Sequence, residues 1–175
     1  MFLRRLSVVL MLLWSHAAFA IDMTGAAKEF RESYRVPSIV PVLGGWQGND
    51  SAVSEPSIAR ITDDKAWAAL WARHDPSGQP PKIDFRNAMV VAVFLGSVSS
   101  LVSGIHLDSV LDASDLEITS VVFIGDVITR ETFRPYLFVV LPRSSRAITV
   151  IEHSFGLMMN PQHNYRIVGQ IEPLR

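Results

Sequence analysis

The sequence contains no cysteine among its 175 residues. This absence excludes disulfide bonds, a thiol nucleophile, zinc and iron–sulfur sites built on thiolates, and a lipid-modified cysteine. Positive charge is not in excess either, because 16 basic residues face 17 acidic ones. A nucleic-acid-binding domain would be clearly basic, so we expect no nucleic acid partner.

Common catalytic motifs are also lacking. The sequence has no G-x-S-x-G, no S-x-x-K, no Walker loop, no G-x-G-x-x-G and no H-E-x-x-H. No two of the four histidines beyond residue 20 have the i+2 or i+4 spacing that local metal sites usually show. We therefore predict neither a metal nor a cofactor.

Residues 1–20 have the pattern of a secretory signal peptide. Two arginines precede an apolar run from Leu6 to Trp14, and Ala18-Phe19-Ala20 matches an A-x-A cleavage site. The apolar run is about half of the ~20 residues that a membrane-spanning helix needs. We predict cleavage after Ala20, no membrane anchor after cleavage, and a periplasmic or secreted protein.

The remaining chain divides into a tail and one domain. Residues 21–35 are polar and predict a loose tail or a short helix, and residues 36–175 predict a single domain. The clearest helix is predicted over Thr62–His74, where Thr62 or Asp63 can cap the first turn. His74, in its last turn, is interpreted as a partner of the helix dipole.

Strand-length apolar segments dominate the rest of the domain. Pro41 predicts that the first strand is an edge strand or bends, and the shift of apolar parity before Val110 predicts a bulge. The segments between the predicted strands are too short for crossover helices, which favours antiparallel pairing. We predict an α+β domain with a mostly antiparallel sheet of six or seven strands and one main helix packed on it. The predicted strands cover Ser38–Trp46, Ala88–Leu95, Gly104–Val110, Leu116–Ile124, Tyr136–Leu141, Ala147–Ile151 and Tyr165–Ile171.

Trp46 lies between glycines at the end of the first predicted strand and is followed by polar residues. An aromatic side chain beside polar ones in a loop is typical of a contact patch for a protein or glycan partner. The alternative is that Trp46 covers one end of the sheet. We name Trp46, Gln47, Asn49 and Asp50 as candidate partner-binding residues.

His106 and Asp108 are two residues apart on a predicted strand and hence on one face. An aspartate that orients a histidine can activate a serine, and Ser99, Ser100 and Ser103 are near in sequence. This arrangement suggests a small hydrolase. The alternative is the exposed polar face of a half-buried strand.

A further group of residues points to a family. It consists of Trp67, Leu70, Trp71 and His74 on the helix, the segments Ile83–Phe85 and Met89–Gly96, and Pro135-Tyr136. From about Arg60 to Ile151 the chain resembles the PrcB C-terminal-like domain of secreted bacterial proteins. In that family a Thr/Ser-Gly-Gly-Tyr turn follows the strand glycine. Here Ser103, Gly104 and Ile105 stand in the matching place, without the aromatic residue and one glycine, and we add them to the candidate partner-binding residues.

The resemblance implies an exported, non-catalytic binding or accessory domain. Such a domain would support the assembly or stability of an unknown protein partner, for instance an exported protease. Two alternatives stay open: the hydrolase that uses His106 and Asp108, and a small-ligand-binding protein, which would require a pocket with a few convergent polar groups.

Overall fold

The most deeply buried strand, Ala88–Phe94, is buried at every position. Its side chains alternate between two apolar clusters, with Met89, Val91 and Val93 in one and Val90, Ala92 and Phe94 in the other. The continuous run of apolar residues therefore reflects packing on both faces of the sheet, as we predicted.

The computed structural model describes residues 37–98, 102–124, 131–156 and 163–174. The predicted signal peptide and the predicted tail lie outside these residues. The described part contains one helix, α1 (Asp64–His74), and nine strands. These are β1 (Ser38–Ile39), β2 (Gly44–Gly48), β3 (Ser57–Ile61), β4 (Ala88–Phe94), β5 (Val102–Asp112), β6 (Leu116–Ile124), β7 (Tyr136–Pro142), β8 (Ile148–Gly156) and β9 (His163–Ile171).

The strands form two sheets rather than the single sheet that we predicted. The order is β1-β5-β6-β8-β9 in the five-stranded sheet and β2-β7-β4-β3 in the four-stranded sheet. One apolar cluster fills the space between the sheets, and the second lies between the four-stranded sheet and α1. The prediction of an α+β domain was wrong: the part of the chain that the structure describes is mostly β, with two stacked sheets and one short helix on an outer face.

The connection after β7 explains why one sheet was expected. Residues 142–146 have hairpin length, yet β7 and β8 belong to different sheets, and β8 pairs in parallel with β6. Two arginines fix this crossing between the sheets. Arg143 Nη1 donates to the carbonyl of Thr62 at 2.9 Å, and Arg146 forms an ion pair with Asp112. Both arginines therefore hold the connection between β7 and β8 in place.

Several local predictions are confirmed. Asp63 caps α1 by accepting the N–H of Ala66 at 2.8 Å, and the register of β5 shifts between Leu107 and Ser109, where a bulge was predicted. The chain leaves the five-stranded sheet and enters the other one around Pro41, so β1 and β2 are separate edge strands.

Two neighbouring glycines on β2 give a matched stability test. A Cβ on Gly45 would lie 2.6 Å from the carbonyl oxygen of Phe138 on β7, whereas a Cβ on Gly44 would meet nothing closer than Val140 Cγ2 at 3.8 Å. We expect Gly45→Ala to lower the free energy of unfolding by about 1–3 kcal/mol because the strands must separate. Gly44→Ala should change it by less than about 0.5 kcal/mol. Urea unfolding measures both, and equal losses would contradict this description of β2.

Candidate functional site

The predicted partner-binding residues do not form one surface. Trp46 is half-buried and packs beside α1, with its ring centroid 6.2 Å from that of Trp67 and 6.3 Å from that of Trp71. Ile105 is 1% exposed and lies between the two sheets. Ile105 is therefore unavailable to a partner, and Trp46 packs against the apolar cluster between α1 and the four-stranded sheet.

Other predicted residues do meet at the edge of the two sheets. Gln47 Nε2 lies 2.7 Å from His106 Nδ1, although the residues are 59 positions apart. A Cβ placed on Gly104 would lie 3.4 Å from Asn49 Oδ1 and 3.5 Å from His106 Nε2, so the two side chains converge above this glycine. The structure thus joins the segment around residues 47–49 to β5.

The hydrolase arrangement gains no support from these contacts. Gln47 occupies one ring nitrogen of His106, and the carboxylate of Asp108 accepts a hydrogen bond from the hydroxyl of Ser109 at 3.3 Å. Ser99 and Ser100 lie outside the described residues, as does the side chain of Ser103. Among the described residues, no group of His, Asp and Glu side chains has the arrangement of a metal site.

A cavity with a polar lining lies at the C-terminal end of α1. It has a volume of about 420 Å³ and a size within the range of small-molecule sites. We call it the helix-end cavity. It is lined by Asp50, Ala52, Trp71, His74, Asp75, Pro76, Ser77 and Tyr136. Three segments that are distant in sequence therefore bring two carboxylates, an imidazole and a phenol to one place.

His74 is the most buried titratable group of this cavity, with 5% of its surface exposed. Its ring centroid lies 4.1 Å from that of Tyr136 and 4.9 Å from that of Phe138. Burial lowers the pKa of His74 below its usual value of 6.5, although Asp75 and Asp50 act in the opposite direction. Burial therefore favours the neutral imidazole, which limits what His74 can contribute as a partner of the helix dipole.

A hydrogen bond from Ser51 determines which nitrogen of His74 carries the proton. Ser51 Oγ is fully buried, accepts the N–H of Val53 at 3.1 Å and lies 3.0 Å from His74 Nδ1. Its own proton needs an acceptor, and Nδ1 is the one within reach among the described residues. We assign the hydroxyl as donor to Nδ1, which places the ring proton on Nε2.

The two carboxylates make the cavity negative. Asp75 Oδ1 accepts hydrogen bonds from the hydroxyl of Ser77 at 2.8 Å, from the N–H of Ser77 at 3.1 Å and from the N–H of Gly78 at 3.0 Å. The bond from the Ser77 side chain contributes most to holding the pKa of Asp75 below its ordinary value. Burial raises the pKa of Tyr136, and Asp50 and Asp75 raise it further, so the phenol keeps its proton.

Trp71 lines the same cavity and has a buried indole N–H. The residue is 9% exposed, and its Nε1 is buried with no hydrogen-bond partner. It lies beside the turn that follows α1, because a Cβ on Gly78 would come within 3.2 Å of Nε1. A buried donor without an acceptor costs free energy, and a ligand in the cavity could reach Nε1 only after the turn at residues 75–78 had moved.

The buried His74 predicts how stability depends on pH. As the pH drops through 6.5, the unfolded chain binds a proton at this residue more readily than the folded protein does, so the free energy of unfolding falls. We expect His74→Gln to remove this part of the pH dependence. Urea unfolding of both proteins between pH 5 and pH 8 measures it, and parallel curves over that interval would contradict the assignment of a neutral His74.

Sequence reasoning named Asp50 and His74 but did not bring them together. The helix pattern correctly placed Trp71 and His74 on the buried stripe. Nothing in the pattern indicated that Tyr136, at the start of β7, would lie against the ring of His74, because this contact depends on the order of strands in the four-stranded sheet.

The described residues contain no helix long and apolar enough to cross a membrane. Comparison of the chain with protein-family models, with curated proteins and with solved structures finds no significant match.

Proposed function

We propose that this chain is an exported, non-catalytic binding domain whose recognition site is the helix-end cavity. The observation that carries the proposal is the convergence of Asp50, His74, Asp75 and Tyr136 on one cavity that Trp71 also lines. A small number of polar groups placed between aromatic side chains is typical of ligand sites. The proposal that the protein is exported rests on the signal-peptide pattern of residues 1–20.

A binding role fits the chemistry of the cavity better than a catalytic one. The hydroxyl nearest to His74 belongs to Ser51, which is fully buried and already engaged with Val53. A substrate could not reach this oxygen, because a nucleophile needs an open approach to the reacting atom. The resemblance to the PrcB C-terminal-like domain agrees with a binding role, and a secreted protease is one partner that it suggests.

A fragment screen by nuclear magnetic resonance tests this proposal. The full chain without residues 1–20, labelled with ¹⁵N, is screened against small polar compounds. We expect the saturable shifts to occur at the amides of residues 50–52, 74–77 and 136. Hits that cluster instead around Gln47 and His106 would overturn the assignment of the recognition site to the helix-end cavity, and so would a screen without hits at either place.

A further inference from the structure

The lining of the helix-end cavity also indicates the chemical class of its ligand, provided that the proposed binding function holds. Asp50 and Asp75 carry the charges of the lining, which includes no lysine or arginine. The two aspartates come from different segments of the lining, and both raise the pKa of His74 and of Tyr136. A ligand that complements these two negative charges is a cation.

The aromatic rings of the cavity favour an organic cation. Trp71 and Tyr136 both contribute to the lining, and ring faces attract ammonium groups, most strongly when water is partly excluded. A divalent metal ion fits less well. Calcium requires six to eight oxygen ligands, and Asp75 Oδ1 is already occupied by three hydrogen bonds.

The uncharged N–H groups near the cavity would donate hydrogen bonds to an oxygen atom on the same ligand. The contact of Ser51 with His74 Nδ1 leaves the N–H of Nε2 as a donor, and the N–H of Trp71 Nε1 is buried beside the turn at residues 75–78. Neither donor can interact favourably with an ammonium group, which has no acceptor. A hydroxyl or carbonyl oxygen close to the cation would use them.

We propose that the helix-end cavity binds a primary ammonium group carried beside an oxygen acceptor, as in an amino sugar or an α-amino amide. The ammonium lies between Asp50 and Asp75, against the rings of Trp71 and Tyr136. The neighbouring oxygen accepts from His74, and from Trp71 once the turn at residues 75–78 adjusts.

Three small probe compounds test separately whether the ammonium group and the oxygen acceptor are needed for binding. Ethanolamine carries both groups, ethylamine lacks the oxygen and ethylene glycol lacks the ammonium. At pH 7 we expect ethanolamine to bind with a Kd on the order of millimolar, as befits so small a ligand, and each of the other two at least about fivefold more weakly. Glucosamine and glycinamide then identify the source, because the tighter of the two shows whether a sugar or a peptide-like compound carries the ammonium.

Matched variants locate the binding. Asp50→Asn should weaken ethanolamine about fivefold, whereas Asp64→Asn, at the other end of α1, should leave its Kd unchanged. Ethylene glycol binding as tightly as ethanolamine, or equal effects of the two variants, would overturn the ammonium assignment. If the fragment screen reports cavity ligands and none is an amine, this inference fails while the proposed binding function stands.

Discussion

Phe138→Ala is expected to lower the free energy of unfolding by about 3–5 kcal/mol, the range seen when a buried aromatic side chain is removed. Phe138 is fully buried in the middle of the cluster between α1 and the four-stranded sheet. Its ring centroid lies 5.3 Å from that of Trp67 and 5.5 Å from that of Phe94, both in edge-to-face geometry. Removing the ring leaves a void that these neighbours cannot fill.

This substitution should also disorder the helix-end cavity, because His74 and Tyr136 both pack against Phe138. Phe138→Leu keeps most of the volume and should cost only about 1–2 kcal/mol. Ile39→Ala is the matched control, since Ile39 is 83% exposed and its truncation should change stability by less than about 0.5 kcal/mol. Urea unfolding of the three variants tests this, and similar losses for Phe138→Ala and Ile39→Ala would contradict the placement of this core.

Asp50→Lys is expected to weaken the binding of ethanolamine at least tenfold. Asp50 is exposed at the rim of the cavity, so its replacement should leave the fold intact while it places a positive charge where we infer the ammonium to lie. Glu172→Lys is the matched control, because it makes the same change in net charge at an exposed position outside the cavity.

Titrations followed by nuclear magnetic resonance give the two dissociation constants, and unfolding curves confirm that both variants are folded. An equal loss in both variants would show that net charge, rather than the position of Asp50, governs the binding. A loss in neither would remove Asp50 from the site.

Local structure was predictable wherever the spacing of apolar residues fits either a helix or a strand but not both. The stripe of Trp67, Leu70, Trp71 and His74 predicted α1, and the run at residues 88–95 predicted a strand covered on both faces. Strand β3 was missed because the polar Arg60 interrupts its short apolar pattern. In the structure the Nε and Nη1 atoms of the Arg60 side chain are buried and have no hydrogen-bond partner.

The division of the strands between two sheets was not predictable in the same way. A strand has the same period of two whether its neighbour in sequence lies beside it or in the opposite sheet. Residues 142–146 illustrate this, because their length suits a hairpin while they in fact cross from one sheet to the other. The helix-end cavity depends on the same long-range order, since it brings Tyr136 of β7 to the end of α1.

A crystal structure of the protein with its tightest-binding fragment tests the central claim most directly. The account predicts density for the fragment in the helix-end cavity, with an oxygen about 3 Å from His74 Nε2 and a polar contact to Asp50 or Asp75. A fragment bound elsewhere on the two sheets, for example beside Gln47 and His106, with the helix-end cavity holding only water, would contradict it.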